Sequence, residues 1–432
     1  MYFENLLKGV SKDLAKEVVS AKIALEKNFN DSTIKRKFIE VVWKLYEYLC
    51  RNITEDYEIE KRLFLRFGLL EPKYLSTSDV QKIRKIPFVE EVENVFYVDE
   101  WLLAVKNGKI NPSSYLETIE QPRVLTSNVS SFTKAFEEKI TERKKYEKEV
   151  LEIVKNISFE DKPYNKAILS LIDQAIERLK KLKQLNREVE ILYNQIEDLE
   201  KKQLSDEKIE NKKEFTEYMV IKQMLNKSVG RLGNRFLVLS SIFLTNAFML
   251  TKEVLKNKIE EVEKIDYKIF QRSIKGVNIR FLPYFIIVPG YGDYGFCWEP
   301  FEGLNFLSGR GRVVIPMFPK NLDIAILRAL GDYRWKVSKE LSFGHWMEEG
   351  LTGEFYNYML DNKIKERPDE YFLKNYILWI LKESKGVQKL EKEVREIFWR
   401  YLEFPEDIKI KLSNLSYVYK NLYEKDKRRK RR

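Results

Sequence analysis

Between Asn165 and Leu204 the chain runs forty residues without a Gly or a Pro. With neither helix breaker present, the stretch reads as one continuous helix, about 60 Å long at 1.5 Å per residue. Its apolar positions are Leu169, Ile172, Ile176, Leu179, Leu182, Leu185, Val189, Leu192, Ile196 and Leu199. The steps between them alternate three and four, as a heptad seam does, except for a three-residue slip near Leu182. Such a slip predicts a stammer that overwinds a coiled coil locally. A helix this long and this charged cannot be buried all round, so it must pair along a narrow seam. The partner is either a charged helix predicted over 133–157 or a second copy of the chain. Pro163 in "SFEDKPYN" separates the two helices. The expectation is an antiparallel coiled-coil arm over 133–212, with Ile172, Ile176, Val189, Leu192 and Ile196 in its seam.

The flanking segments have a different texture. Residues 1–122 read as a helical N-terminal domain: Leu14, Val18, Ala21 and Leu25 recur at helical spacing, and Asp31 or Ser32 caps a second helix through Phe38, Val42, Leu45 and Leu49. Asn107-Gly108 is a turn signal after a valine- and aromatic-rich run, which predicts a short hairpin there. "QPRVLTSNVSSFTK" reads as a linker into the arm. Residues 213–420 form an α+β C-terminal domain, with strands at "FLPYFIIVP" and "RVVIPMF". Pro283, Pro289 and Pro316 place those strands at edges or ends. Three further helices are marked by Pro368, Gly386 and Pro405. The predicted class is mainly α, with a smaller α+β C-terminal domain and a long antiparallel coiled-coil arm. Residues 421–432 are a basic tail.

Composition removes several classes. With 26 Phe, 24 Tyr and 7 Trp, the chain is too aromatic to be disordered. Cys50 and Cys297 are its two cysteines and form no CxxC pair, which argues against a disulfide framework or a cysteine zinc site. The most apolar run, Phe236–Leu250, is interrupted by Ser, Thr and Asn and falls short of the roughly 20 residues of a spanning helix. A buried helix is expected there and no membrane span. The opening segment carries Glu4 and lacks the apolar core of a signal peptide, so a cytoplasmic location is expected. High Lys and Glu with little Gln, His or Cys fits a thermophile or an AT-rich genome. The formal charge is +11, and +6 of it sits in the last eight residues, "KDKRRKRR". Lys427, Arg428, Arg429, Lys430, Arg431 and Arg432 are therefore candidates for contact with nucleic acid or an anionic surface.

Four stretches have the residue types of chemistry. "GYGDYG", Gly290 to Gly295, follows a strand, but "FCWEPFEGL" is no phosphate-binding helix, so it reads as an aromatic turn between strands. In "SGRGR", Arg310 and Arg312 are placed to grip an anion through forked hydrogen bonds. "RALGDY" resembles the zincin helix H-E-L-G-H-Y at Leu330, Gly331 and Tyr333. Arg328, Ala329 and Asp332 stand where that family has its two imidazoles and its base, so the resemblance implies a site without its metal. "HWMEE" holds the single histidine, His345, with Glu348 and Glu349 beside it. One imidazole and two carboxylates, with Asp332, make a poor metal set. No metal and no cofactor are expected. Asp332 is expected to pair with Arg328 or another nearby base, and Trp335 and Trp346 to fill core. The leading functional expectation is a non-catalytic binding or scaffolding protein that meets a protein partner, or itself, through the arm. The rivals are an enzyme or degenerate zincin-like hydrolase with a site around Gly290–Arg312 and Asp332–Glu354, and a nucleic-acid binder acting through the tail.

Overall fold

The computed structural model describes residues 2–70, 81, 94–110, 127–157, 165–210, 217–228, 249–274, 277–298, 310–342 and 346–430. The Phe236–Met249 part of the apolar run is outside them except for its last residue, and so is His345. The chain is mostly helical and divides into two compact units, Met1–Ile119 with Lys213–Arg432, and Glu120–Lys212.

The first unit is organised by a four-stranded sheet in the order β1-β4-β6-β5. Strands β1 (Val95–Tyr97), β4 (Tyr284–Tyr291) and β6 (Arg312–Phe318) run parallel, and β5 (Phe296–Trp298) lies antiparallel to β6. A separate two-stranded ribbon pairs β2 (Gln271–Ile274) with β3 (Val277–Arg280). The strand nearest the N-terminus thus pairs with one almost two hundred residues later, Phe96 opposite Ile286. β4 and β6 are apolar along almost their whole length because both sheet faces are covered, the usual condition of parallel strands. Side chains alternate between two cores. Phe285, Ile287, Val313, Ile315 and Met317 face a core with α9 (Lys252–Glu263), α10 (Leu322–Glu340), α11 (Gly350–Asp361), α12 (Pro368–Leu381) and α13 (Lys392–Tyr401). Ile286, Val288 and Val314 face the other. That core is built by α2 (Lys12–Lys27), α3 (Ser32–Arg51), α5 (Val98–Lys106) and α8 (Glu217–Ser228), with α1 (Tyr2–Leu7) and α4 (Ile59–Phe67) beside them.

Two expectations change here. The proline-bearing strands are the central pair of the sheet and not its edges. Pro316 is tolerated because β5 overlaps β6 only from Arg312 to Val314, so β6 has no antiparallel neighbour at the proline. Pro289 sits where the β4–β6 register shifts, between Val288 and Tyr291. No hairpin forms at Asn107-Gly108; the pair ends helix α5, with Gly108 at φ +69°.

The C-terminal helices are held by buried charge as well as apolar contact. Glu383 is fully buried and accepts from Arg395 at 2.6 Å, the Leu390 amide at 2.7 Å and the Tyr419 hydroxyl at 2.7 Å. Burial pushes its carboxyl up, but these donors outweigh it and hold the group below its ordinary value. The basic tail is not a bare extension. Its described part is the end of α15 (Tyr417–Lys430), where Asp426 is buried 2.5 Å from Lys409, a 2% exposed residue of α14 (Glu406–Leu415). Removing Lys425–Arg432 would leave that lysine without its nearest carboxylate.

The second unit is a helical hairpin. Helices α6 (Ser127–Lys155) and α7 (Lys166–Glu210) run antiparallel, with Lys139 2.8 Å from Glu188 and Arg178 3.4 Å from Glu149. Phe136, Ile140, Ala175, Leu185 and Val189 are buried between them. On α7 the buried or half-buried positions are 168, 171, 172, 175, 178, 181, 182, 185, 188, 189 and 192, which include the expected Ile172, Leu182, Leu185, Val189 and Leu192. Ile176 and Leu179, expected in the seam, are 44% and 50% exposed. Ala175 is small enough for close approach, and Arg178 is half-buried with its guanidinium 3.4 Å from Glu149. Ile196 and Leu199 lie on α7 beyond its described side chains. Leu185→Ala should lower the unfolding free energy of the hairpin by about 3 kcal/mol, and Ile191→Ala, at an exposed position, by under about 0.5, both measured by thermal or urea unfolding.

Candidate functional site

Asp332 is a clamp on the edge of the sheet. One Asp332 oxygen accepts from the Cys297 amide at 2.8 Å and from Lys336 Nζ at 3.2 Å, and Lys336 donates to the Cys297 carbonyl at 2.6 Å. These two side chains, one helical turn apart, satisfy the outward backbone groups of edge strand β5. Arg328 instead turns to Glu370, at 2.6 Å, and over the Tyr294 ring at 4.3 Å. Gly331 owes its place to packing: a Cβ there would lie 2.9 Å from both Leu373 and Tyr376. Tyr333 and Trp335 are buried, and Trp346 packs edge-on against Trp335 at 6.0 Å. The residues of "RALGDY" thus all make contacts within the fold.

Arg310 and Arg312 flank Gly311 at the start of β6. Arg312 is fully buried, 2.9 Å from Glu217, whose same oxygen accepts from the Trp101 indole at 2.5 Å. It ties the sheet to α5 and α8. Arg310 donates to Asn94 at 2.6 Å and lies 5.0 Å and 5.2 Å from the rings of Phe281 and Tyr284. "GYGDYG" is the turn from β4 to β5; Asp293 accepts from the Asn321 amide at 2.7 Å, and a Cβ at Gly295 would lie 2.2 Å from the Ala325 carbonyl oxygen. Glu348 is half-buried, and Glu349 is exposed at the start of α11. Among the described residues no group of three metal-ligating side chains occurs, and no helix is long and apolar enough to cross a membrane.

One charged cluster was hidden in the sequence. At the end of β1, Arg66 lies 3.0 Å from Asp99 and 3.0 Å from Glu100, Arg62 lies 3.0 Å from Asp99, and Lys252 lies 2.5 Å from Glu100. Glu100 also accepts from the Tyr97 amide at 3.1 Å, closing the N-terminus of α5. The whole run Lys61–Phe67 is buried, its three bases included. Burial pushes the Glu100 carboxyl up to about 7, against the pull of Arg66 and Lys252.

The exposed features lie elsewhere. On the hairpin, Leu151, Val154, Leu169, Ile176 and Leu179 are 38–60% exposed. Each follows a seam position, at 150, 153, 168, 175 and 178, and so stands about 100° further round its helix. Because the two helices run in opposite directions, the same rotation carries both sets to one side of the hairpin. The pairing of Arg178 with Glu149 sets Leu151 level with Ile176, so the five make one continuous face. At the end of α15, Lys427, Arg428 and Arg429 are exposed; the Lys430 side chain, Arg431 and Arg432 are outside the described residues.

Residues 343–432 match a domain of unknown function (DUF8509), and residues 1–85 match another (DUF8510). The two matches lie at opposite ends of the chain but within the same compact unit. No curated protein and no solved structure matches the chain.

Glu100 gives this unit a pH signature. Its folded value, about 7, lies above the ordinary 4.5, so the folded state holds the proton more tightly across that interval. Stability should fall as pH rises from about 4.5 to about 7, by about 3 kcal/mol, and level off above. The difference between wild type and Glu100→Gln in urea unfolding at a series of pH values isolates this contribution.

Proposed function

We propose that the protein is a non-catalytic binding or scaffolding protein whose contact surface is the apolar face of the helical hairpin, with α6 and α7 pairing as an antiparallel coiled coil. The observation that carries this reading is the five-residue face of Leu151, Val154, Leu169, Ile176 and Leu179. Large aliphatic side chains gathered on one side of a two-helix element are what a helical partner covers. The charged candidates of the other unit support it in a second way. Asp332, Arg310 and Arg312 have partners within the fold, and each of those contacts positions a strand. A photo-crosslinker at position 179 should yield a defined polypeptide adduct in intact cells, while one at Gln174, on the opposite side of α7, should not. Equal labelling from both positions, or none from either, would remove the reading.

The exposed end of α15 favours a second contact, with nucleic acid. Phosphate neutralisation makes affinity fall with salt by about 0.9 log units per contact. Replacing Lys427, Arg428 and Arg429 with Ala should reduce the log–log slope by up to about 3 in a fluorescence-anisotropy titration with a duplex oligonucleotide. An unchanged slope would place any such contact elsewhere. Substitution serves better than truncation, because Asp426 belongs to the fold.

A further inference from the structure

We propose that the protein docks on an anionic lipid surface through an apolar corner where α14 meets α15. Val387, Leu415 and Tyr417 enter the lipid interface there, and the lysines around them meet its anionic headgroups. The inference is independent of the hairpin and of the bases at the end of α15.

Two contacts assemble the corner. Gln388 Nε2 donates to the Ser416 hydroxyl at 2.7 Å, and Leu415 lies against Gly386, where a Cβ would come 3.0 Å from its Cδ1. Residues 386–388 are thus seated on residues 415–416, and Val387, Leu415 and Tyr417 all belong to that junction. They are 46%, 58% and 76% exposed, and Tyr417 is the most exposed large hydrophobic side chain among the described residues. One such side chain on a surface needs no explanation; three at one junction mark a contact.

The charges at the junction have one sign. Residues 384–390 and 408–423 contain no acid. Their exposed bases are Lys385 and Lys389, two residues to either side of Val387; Lys411, one turn before Leu415; and Lys420, one turn after Tyr417. Lys409, the remaining base, is buried against Asp426. The neighbouring acids are partnered or set back. Glu383 is buried on Arg395, and Glu391 accepts from the Tyr358 hydroxyl. Glu424 is a turn beyond Lys420, and Asp407 is about 12 Å along α14 from Leu415.

Charge alone would suit nucleic acid as well, and the apolar side chains decide between them. Val387 and Leu415 offer no flat face on which a base can stack. Two aliphatic side chains with a tyrosine are what a membrane interface takes up, the ring at headgroup level and the lysine stems reaching to anionic groups. Each lysine near such a surface adds about fivefold in affinity.

Co-sedimentation of the full chain with phosphatidylcholine vesicles, with and without phosphatidylserine, tests this. The chain should pellet with the vesicles that contain phosphatidylserine and stay in solution with phosphatidylcholine alone. Lys385→Gln with Lys389→Gln should weaken binding about thirtyfold. Leu415→Ser with Tyr417→Ser should weaken it about tenfold. All four positions are exposed, so both variants should melt as the wild type does. The Leu415 and Tyr417 variant separates this corner from the bases at the end of α15, which attract a vesicle by charge alone. No binding to the phosphatidylserine vesicles, or binding that this variant leaves unchanged, would overturn the proposal. So would a single-stranded oligonucleotide that binds where vesicles do not and that Tyr417→Ser releases, since the corner would then belong to nucleic acid.

Discussion

Everything in the larger unit follows from two strands that must be covered on both faces. β4 and β6 carry apolar side chains on alternate sides, Ile286 and Val314 to one, Ile287 and Ile315 to the other. Neither face can meet water without losing the main stabilising contribution of the fold. One face is closed mainly by helices from the first hundred residues, the other mainly by helices after residue 250. The two ends of the chain therefore cover opposite faces of one sheet within one compact unit, and the hairpin of residues 127–210 is inserted between them in sequence. An insertion of that size is tolerable because the entropy of closing a loop grows only slowly with its length.

Buried charge gives this unit its specificity of arrangement. Arg312 and Glu217 join a strand to two helices, Asp332 and Lys336 finish the edge strand, and Glu383 gathers the C-terminal helices. Each such group is costly to bury and tolerable because it is hydrogen-bonded. A misplaced helix would leave an ion without its partner. The same logic explains why charged residues that look like a catalytic set in the sequence have fold-internal partners.

The helices were legible because their periodicity is strong: Phe38, Val42, Leu45 and Leu49 are all buried on one face of α3. The strands were recognised but misplaced, since a proline rule based on full-length ladders does not anticipate a short β5. The seam of α7 was read correctly at Ile172, Leu182, Leu185, Val189 and Leu192 and wrongly at Leu169, Ile176 and Leu179. Counting only large apolar residues passes over Ala175 and Arg178, and counts Ile176 and Leu179. Leu169, Ile176 and Leu179 are exposed, and with Leu151 and Val154 they make the face on which the binding proposal stands. The cluster of Arg62, Arg66, Asp99, Glu100 and Lys252 had no signal in the sequence, because its members come from three separated segments and each looks like ordinary surface charge.

The shared sheet has a direct test. Residues 1–119 and 213–432 can be produced together as two separate chains, without the hairpin. If both faces of the sheet need both segments, the two chains co-purify in a one-to-one complex that melts in one transition, and the 213–432 chain alone exposes a sheet face and aggregates or fails to fold. A 213–432 chain that is monomeric and as stable alone as in the mixture would contradict the account.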